Sequence, residues 1–132
     1  MEMVVDTSVI IAVIAGETGK EGLVRATRGA DLIAPHSVHW EIGNAFSAML
    51  KQKRIEVEEA IQALELYRSI PVRFVEIELE QALLIADRLG IYAYDAYLLR
   101  CCDKYRAPLI SLDQELIKAA RRLGQRTIEV TK

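Results

Sequence analysis

Two carboxylates stand where apolar runs end in this chain of 132 residues. Asp6 closes MVVD within the stretch VVDTSVII, and Asp113 follows LISL. Both apolar runs are typical of buried strands, and in open α/β sheets ligands bind beyond the carboxyl ends of the strands. Asp is also a preferred helix N-cap, and a helical pattern follows each of these two acids. Taken singly, each acid therefore fits either a helix cap or a working group.

Two further acids lie in helical patterns and border the predicted core. Glu41 lies one step off the apolar stripe of a helix predicted from Ser37, as its N-cap, to about Lys53. Asp95 begins a second predicted helix, over 95–105, and shares its apolar face. A carboxylate that faces the interior is costly unless it is paired, hydrogen-bonded or bound to a metal. The structural alternatives are an N-cap for Asp95 and an ion pair at the edge of the core for Glu41.

The elements that must position these acids alternate along the chain. The predicted strands cover residues 3–6, 31–34, 72–76, 109–112 and 127–130. The predicted helices cover residues 9–15, 20–28, 37–53, 57–69, 79–89, 95–105 and 114–123. Short apolar strands interleaved with helices are typical of a parallel sheet with both faces covered. We therefore expect a single α/β domain over residues 1–132, with a central parallel sheet flanked by helices on both faces.

The composition of the chain indicates in which compartment this domain acts and which classes of partner it has. The net charge of −2 argues against binding nucleic acid through bulk positive charge, although local basic patches remain compatible with it. No apolar run approaches the roughly 20 residues that cross a bilayer, and the start MEMVVD lacks the features of a signal peptide. Cys101 and Cys102 are adjacent, so we expect buried thiols in a reducing compartment. These features predict a cytoplasmic protein without a membrane partner.

Together the four acids favour metal chemistry more than each does alone. Carboxylates clustered at a sheet edge suit Mg²⁺ or Mn²⁺, which prefer hard oxygen ligands. Such a site activates a water molecule and stabilises the charge that develops on a phosphodiester.

The four acids also carry a resemblance to a known family. Asp6 in VVDTSVII, Glu41 in HWEIGNAF, Asp95 in YAYDAYLL and Asp113 in ISLDQEL resemble, in order and context, the PIN-domain ribonucleases. Within that family the chain is most similar to the small VapC-type toxins of toxin–antitoxin pairs, over essentially its whole length. The resemblance implies that these four acids are catalytic, that they hold Mg²⁺ or Mn²⁺, and that they cleave RNA to leave a 5′-phosphate and a 3′-hydroxyl.

The resemblance also implies supporting residues. These are the hydroxyl next to the first acid, from Ser8 or Thr7, and Asn44, three residues after Glu41. One departure is visible before the last acid, where the family usually has Thr-x-Asp and this chain has Ser111, Leu112 and the acid. Serine keeps the hydroxyl, so we treat the change as conservative. Whether the last acid binds metal directly or through water stays open.

Partners follow from the same resemblance. It implies an RNA substrate, a homodimer and a small cognate antitoxin protein. Trp40 points away from its helix's apolar stripe, so we expect its face to pack on another helix, of this chain or of a partner. Of Tyr92, Tyr94 and Tyr97 we expect at least two to pack in the core or an interface rather than to stack on RNA bases. The alternative function is a non-catalytic α/β interaction module whose acids are caps and ion pairs.

Overall fold

A computed structural model describes residues 1–130, which form four strands and seven helices. The strands are β1 (Glu2–Val5), β2 (Asp31–Pro35), β3 (Val72–Val75) and β4 (Leu109–Ile110). The helices are α1 (Thr7–Ile14), α2 (Lys20–Thr27), α3 (Ser37–Lys51), α4 (Val57–Ser69), α5 (Leu79–Leu89), α6 (Ala93–Tyr105) and α7 (Gln114–Arg122).

The four strands form one parallel sheet in the order β3-β2-β1-β4. The chain moves outward from β1 through β2 to β3 and then returns past β1 to β4. Because crossovers between parallel strands are right-handed, this reversal places α1 to α4 on one face of the sheet and α5 and α6 on the other. The predicted fold class is thus confirmed. The reversal also makes the junction of β1 and β4 the switch point at which α/β folds bind ligands.

The core lies on both sides of β1, whose residues Met3, Val4 and Val5 are buried. Helix α6 packs against β1 and β2 and buries both of its cysteines. Burial raises the pKa of the Cys101 thiol to about 12, so this thiol is neutral and unreactive at physiological pH. In the part of the chain that the structure describes, no helix has the length and apolar character needed to cross a membrane.

The predicted strand over residues 127–130 is wrong. Thr127 forms only an isolated parallel bridge with Leu109, supported by hydrogen bonds from Leu109 N to Arg126 O (2.9 Å) and from Ile128 N to Leu109 O (2.8 Å). The physical reason is the shortness of β4, which has two residues and offers no ladder along which a fifth strand could extend.

Three helix starts differ from the sequence prediction, and two of them concern the acids. Helix α1 begins at Thr7, directly after Asp6, and α6 begins at Ala93 because Tyr92 takes the extended N-cap conformation. Asp95 is therefore inside α6 and is not its cap. The N-cap of α3 is His36, so Ser37 was wrongly predicted as the cap; its Oγ is buried and has no hydrogen-bond partner within residues 1–130.

Candidate active site

The first acid of the site follows β1 and is held by two hydroxyl groups. Asp6 is buried, and its Oδ2 accepts hydrogen bonds from Ser8 Oγ (2.7 Å) and Ser111 Oγ (2.6 Å). Ser111 follows β4, which pairs directly with β1. Asp6 occupies the N-cap position of α1, yet its side chain makes no capping hydrogen bond in the described chain. The helix-cap interpretation of Asp6 is therefore wrong, and its carboxylate joins the ends of two neighbouring strands.

Both hydroxyls that bind Asp6 are themselves oriented by backbone N–H groups. Leu112 N donates to Ser8 Oγ (3.0 Å), and Asp113 N donates to Ser111 Oγ (2.9 Å). Each serine thus accepts one hydrogen bond from the loop after β4 and donates one to the same carboxylate oxygen. Such connected hydrogen bonds reinforce one another in a partly buried setting. The result is a loop that is tied to the start of α1 at two points.

The second acid reaches the site from α3. Glu41 Oε2 accepts a 2.7 Å hydrogen bond from Thr7 Oγ1, so neighbouring residues at the start of α1 contact two different acids. The pKa of Glu41 is raised, chiefly because burial penalises its charge. The Thr7 hydrogen bond opposes this shift, while the negative charges of Asp6 and Asp95 add to it. Glu41 therefore lies within electrostatic reach of both other acids.

The third acid lies in the first turn of α6. Asp95 is half-buried, and its pKa is raised first by burial and then by the charges of Asp113 and Asp6. Within residues 1–130 its carboxylate accepts no hydrogen bond, so nothing in that range offsets the cost of its charge. A half-buried acid with no donor and two acidic neighbours is a place where a cation would be favourable.

The fourth acid has a structural role that the sequence also allowed. Asp113 is exposed, and its Oδ1 caps α7 by accepting hydrogen bonds from Glu115 N (3.0 Å) and Leu116 N (3.3 Å). Its charge nevertheless raises the pKa of Asp95. The cap interpretation of Asp113 is therefore correct, and it coexists with a position beside the other acids.

The supporting residues are partly those that the sequence suggested. Ser8 and Thr7 both support the site, since the hydroxyl of Ser8 donates to Asp6 and that of Thr7 donates to Glu41. Asn44 lies one turn after Glu41 but is exposed, and its side chain has no hydrogen bond to the described residues. Sequence reasoning did not place Ser111 on Asp6; the hydroxyl two residues before the last acid was the signal that could have found it.

The chemistry of these donors fits a hard divalent cation. Within residues 1–130 no three His, Cys, Asp or Glu side chains are arranged to hold a metal ion by themselves. Mg²⁺, however, usually binds through one or two carboxylates and keeps several waters, which completes its shell without a protein cage. Burial, and after it the charges of neighbouring acids, raise the pKa values of Glu41 and Asp95, and a cation bound beside them would relieve the repulsion between these acids.

Three exposed aromatic side chains lie near Glu41 and Asp95 in the sequence. Trp40 precedes Glu41 and is 74% exposed, while Tyr92 and Tyr94 at the start of α6 are 88% and 56% exposed. Packing of the Trp40 face on another helix of this chain is therefore wrong; packing on a partner stays a prediction. Of the three tyrosines only Tyr97 is half-buried, so packing of at least two of them in the core of this chain is wrong, while packing in an interface stays a prediction.

Comparison with known proteins supplies the family. The model of the PIN domain matches residues 3–122, which include all four acids and Ser111. Among solved structures, PAE2754 from Pyrobaculum aerophilum superimposes with a TM-score of 0.73 and 23% sequence identity. The match covers 93% of this chain and 86% of that chain, and it shows a shared fold. A comparison with curated proteins gives no match.

Proposed function

Because the chain belongs to the PIN domain family, whose members are generally nucleases, we propose that it is a metal-dependent endoribonuclease that hydrolyses RNA phosphodiester bonds. One observation carries this proposal. Asp6, held by Ser8 and Ser111, and Glu41, held by Thr7, lie at the β1–β4 junction, where the fold predicts a ligand site. Asp95 and Asp113 lie within electrostatic reach of them. Carboxylates that lie this close together repel one another and lower the free energy of unfolding. A catalytic role explains why the chain has them at this position.

The cofactor of the proposal is Mg²⁺ or Mn²⁺, held by Asp6 and Asp95, with Glu41 and Asp113 as further ligands or as partners through water. When bound, it would supply the positive charge that offsets the phosphate and would lower the pKa of a bound water. Side chains of this chain orient the acids. Thr7 fixes one Glu41 oxygen and leaves the other for a water molecule, and Ser8 and Ser111 hold Asp6 by Oδ2.

Cleavage assays test the proposal directly. Synthetic RNAs incubated with the purified protein and Mn²⁺ or Mg²⁺ should be cut to products with a 5′-phosphate and a 3′-hydroxyl, and EDTA should stop the reaction. Asp6→Asn and Asp95→Asn should each lower kcat by roughly a hundredfold or more, because transition-state charge is no longer balanced. Asp87→Asn, an exposed acid on α5, is the matched control and should keep full activity. Full activity in EDTA, or in the double Asn variant, would end the proposal.

The biological setting that we propose is the toxin component of a toxin–antitoxin pair, acting in the cytoplasm. A small antitoxin would bury apolar side chains in a groove between α1, α3 and α4, which holds a cavity of about 250 Å³ beside Ile14, Phe46 and Leu66. Leu66, in the wall of this cavity, is 53% exposed. A basic side chain of the antitoxin would then reach the acids and compete with the metal.

Co-expression tests this setting. The protein expressed alone should arrest growth, and the product of the neighbouring short reading frame should relieve the arrest. We also propose a homodimer, which would cover Trp40; Trp40→Ala should then shift the sedimentation coefficient towards that of a monomer. A monomeric wild-type protein that is harmless when expressed alone would contradict both parts.

A further inference from the structure

A cavity of about 230 Å³ lies at the same edge of the sheet as the acids, where β2 and β3 end. We call it the β2–β3 cavity. Its walls include Pro35, His36, Glu76, Ile77, Leu79 and Tyr97. None of the four acids lines it, so it is a separate space next to the candidate active site.

The β2–β3 cavity shares two helices with the acids. Helix α3 begins at the cavity wall and carries Glu41 one turn later, about 6 Å along its axis. Helix α6 carries both Asp95 and Tyr97, whose side chains leave it on opposite flanks because two residues rotate by about 200°. The cavity and Asp95 therefore lie on two flanks of the first turns of α6. A nucleotide that flanks the scissile phosphate would place its base there.

The side chains of the cavity match a planar base. Tyr97 offers an aromatic ring, and the His36 ring is stacked on Phe74 at a centroid distance of 5.9 Å. Aromatic rings of this kind stack on nucleobases in proteins that bind single strands. The Glu76 carboxylate is 85% exposed and lies 3.3 Å from His36 Nε2, so one oxygen has a neighbour and the other faces solvent.

The wall that carries Glu76 is rigidly held. The backbone carbonyl of Glu76 accepts hydrogen bonds from Tyr105 Oη (2.8 Å) and Lys104 Nζ (3.2 Å). Two residues later, Glu78 accepts hydrogen bonds from Arg100 Nη2 (2.8 Å) and Lys104 Nζ (2.6 Å). All three donors lie on α6, the helix of Asp95. The loop between β3 and α5 is thus preorganised relative to the acids.

Resting on the proposed function, we propose that the β2–β3 cavity is a nucleobase subsite that selects an amino-bearing base next to the cleavage position. A carboxylate accepts hydrogen bonds from the exocyclic amino groups of cytosine, adenine and guanine. Uracil presents a carbonyl oxygen at the equivalent position, and the Glu76 carboxylate repels it. The subsite therefore disfavours uracil, and Glu76 is its specificity-determining residue.

The test sequences the ends of fragments cut from a randomised RNA pool in Mn²⁺. The wild-type protein should disfavour uracil about tenfold at one nucleotide flanking the cut. Glu76→Gln should reduce that bias to about one, because an amide both donates and accepts hydrogen bonds. Tyr97→Leu should raise KM with kcat unchanged. Glu65→Gln, an exposed control on α4, should keep the bias.

A binding measurement separates this inference from the proposed function. Fluorescence anisotropy in EDTA with labelled 2′-O-methyl oligocytidine and oligouridine reports the subsite without any cleavage. Wild-type protein should prefer oligocytidine, and Glu76→Gln should bind both alike. If no RNA is cut but this preference holds, the nuclease proposal fails and the subsite stands. Equal binding of both oligomers by wild-type protein, or a cleavage bias that survives Glu76→Gln, would overturn the subsite.

Discussion

Thr7 Oγ1 donates a 2.7 Å hydrogen bond to Glu41 Oε2 and so joins the first residue of α1 to the second turn of α3, 34 residues away. Asp6, the residue before Thr7, is bound in turn by Ser8 and Ser111. The start of α1 therefore orients two acids at once. This short segment is the structural centre of the candidate site, and its hydroxyls give the first prediction.

Thr7→Val should lower kcat/KM about tenfold. The substitution keeps the shape of the side chain but removes a hydrogen bond to a charged group, worth about 1.5 kcal/mol, so Glu41 is less well oriented. Steady-state kinetics on one RNA substrate measure the loss. Thr7→Ser keeps the hydroxyl and should retain most of the activity. An unchanged rate in Thr7→Val would show that this hydrogen bond does not serve catalysis.

Asp6→Asn should stabilise the metal-free protein and remove its response to metal. Asp6 adds negative charge beside Glu41 and Asp95, and a neutral amide relieves the repulsion. In the wild-type protein, Mn²⁺ at about 100 times its Kd should add roughly 2.7 kcal/mol to the free energy of unfolding.

Thermal melts of both proteins, with and without Mn²⁺, measure this difference, and Asp87→Asn should melt like the wild type. The four samples separate the two functions considered for this chain. Equal melting temperatures throughout would favour a non-catalytic interaction module over the nuclease.

Two substitutions at Asp113 should separate its role as the N-cap of α7 from the effect of its negative charge on the candidate active site. Asp113→Asn should not lower the free energy of unfolding, since Asn caps about as well as Asp and the loss of the charge relieves repulsion on Asp95. Asp113→Ala removes the cap and should be about 1 kcal/mol less stable than Asp113→Asn. Urea denaturation measures both values. If the charge also serves the site, both variants should lose at least tenfold in kcat. A fully active Asp113→Asn variant would show that Asp113 serves only as the N-cap of α7.

Glu78 should make stability depend on pH in the acidic range. Its hydrogen bonds from Lys104, and then from Arg100, lower the pKa of the carboxyl from 4.5 to about 2. Because the folded pKa lies below the unfolded one, the stabilisation is complete above pH 4.5 and is lost as pH falls towards 2. Glu78→Gln should therefore be less stable than wild type at pH 7.

Denaturation of both proteins between pH 7 and pH 3 tests this dependence, and the difference between them should shrink as the pH falls. Glu65→Gln, exposed on α4, provides the comparison and should show no such trend. A difference between Glu78→Gln and wild type that is constant with pH would mean that the ion pairs on α6 are not its source.

Local patterns in the sequence were enough for the fold class and for the approximate place of the acids. Apolar runs and helical periodicity are properties of neighbouring residues, so they located α4 and α5 to the residue and the other helices to within two residues. The rule that parallel strands end at one edge placed Asp6 and Asp113 together. Two predictions at this level were wrong. The N-cap of α3 is His36 and not Ser37, and residues 127–130 form no strand because the two-residue β4 is too short to pair with one.

Only the tertiary structure decided which groups touch. The bond from Ser111 to Asp6 spans 105 residues, and it exists because β4 returns to the far side of β1. Strand order is set by the packing of whole helices on the sheet, which no local pattern records. The tertiary structure also decided which aromatic side chains are exposed. The sequence predicted that Trp40 packs on another helix, and in the folded chain both Trp40 and Tyr94 lie at the surface. The sequence by itself determined which acids the chain has and the elements that carry them, and the topology decided their partners.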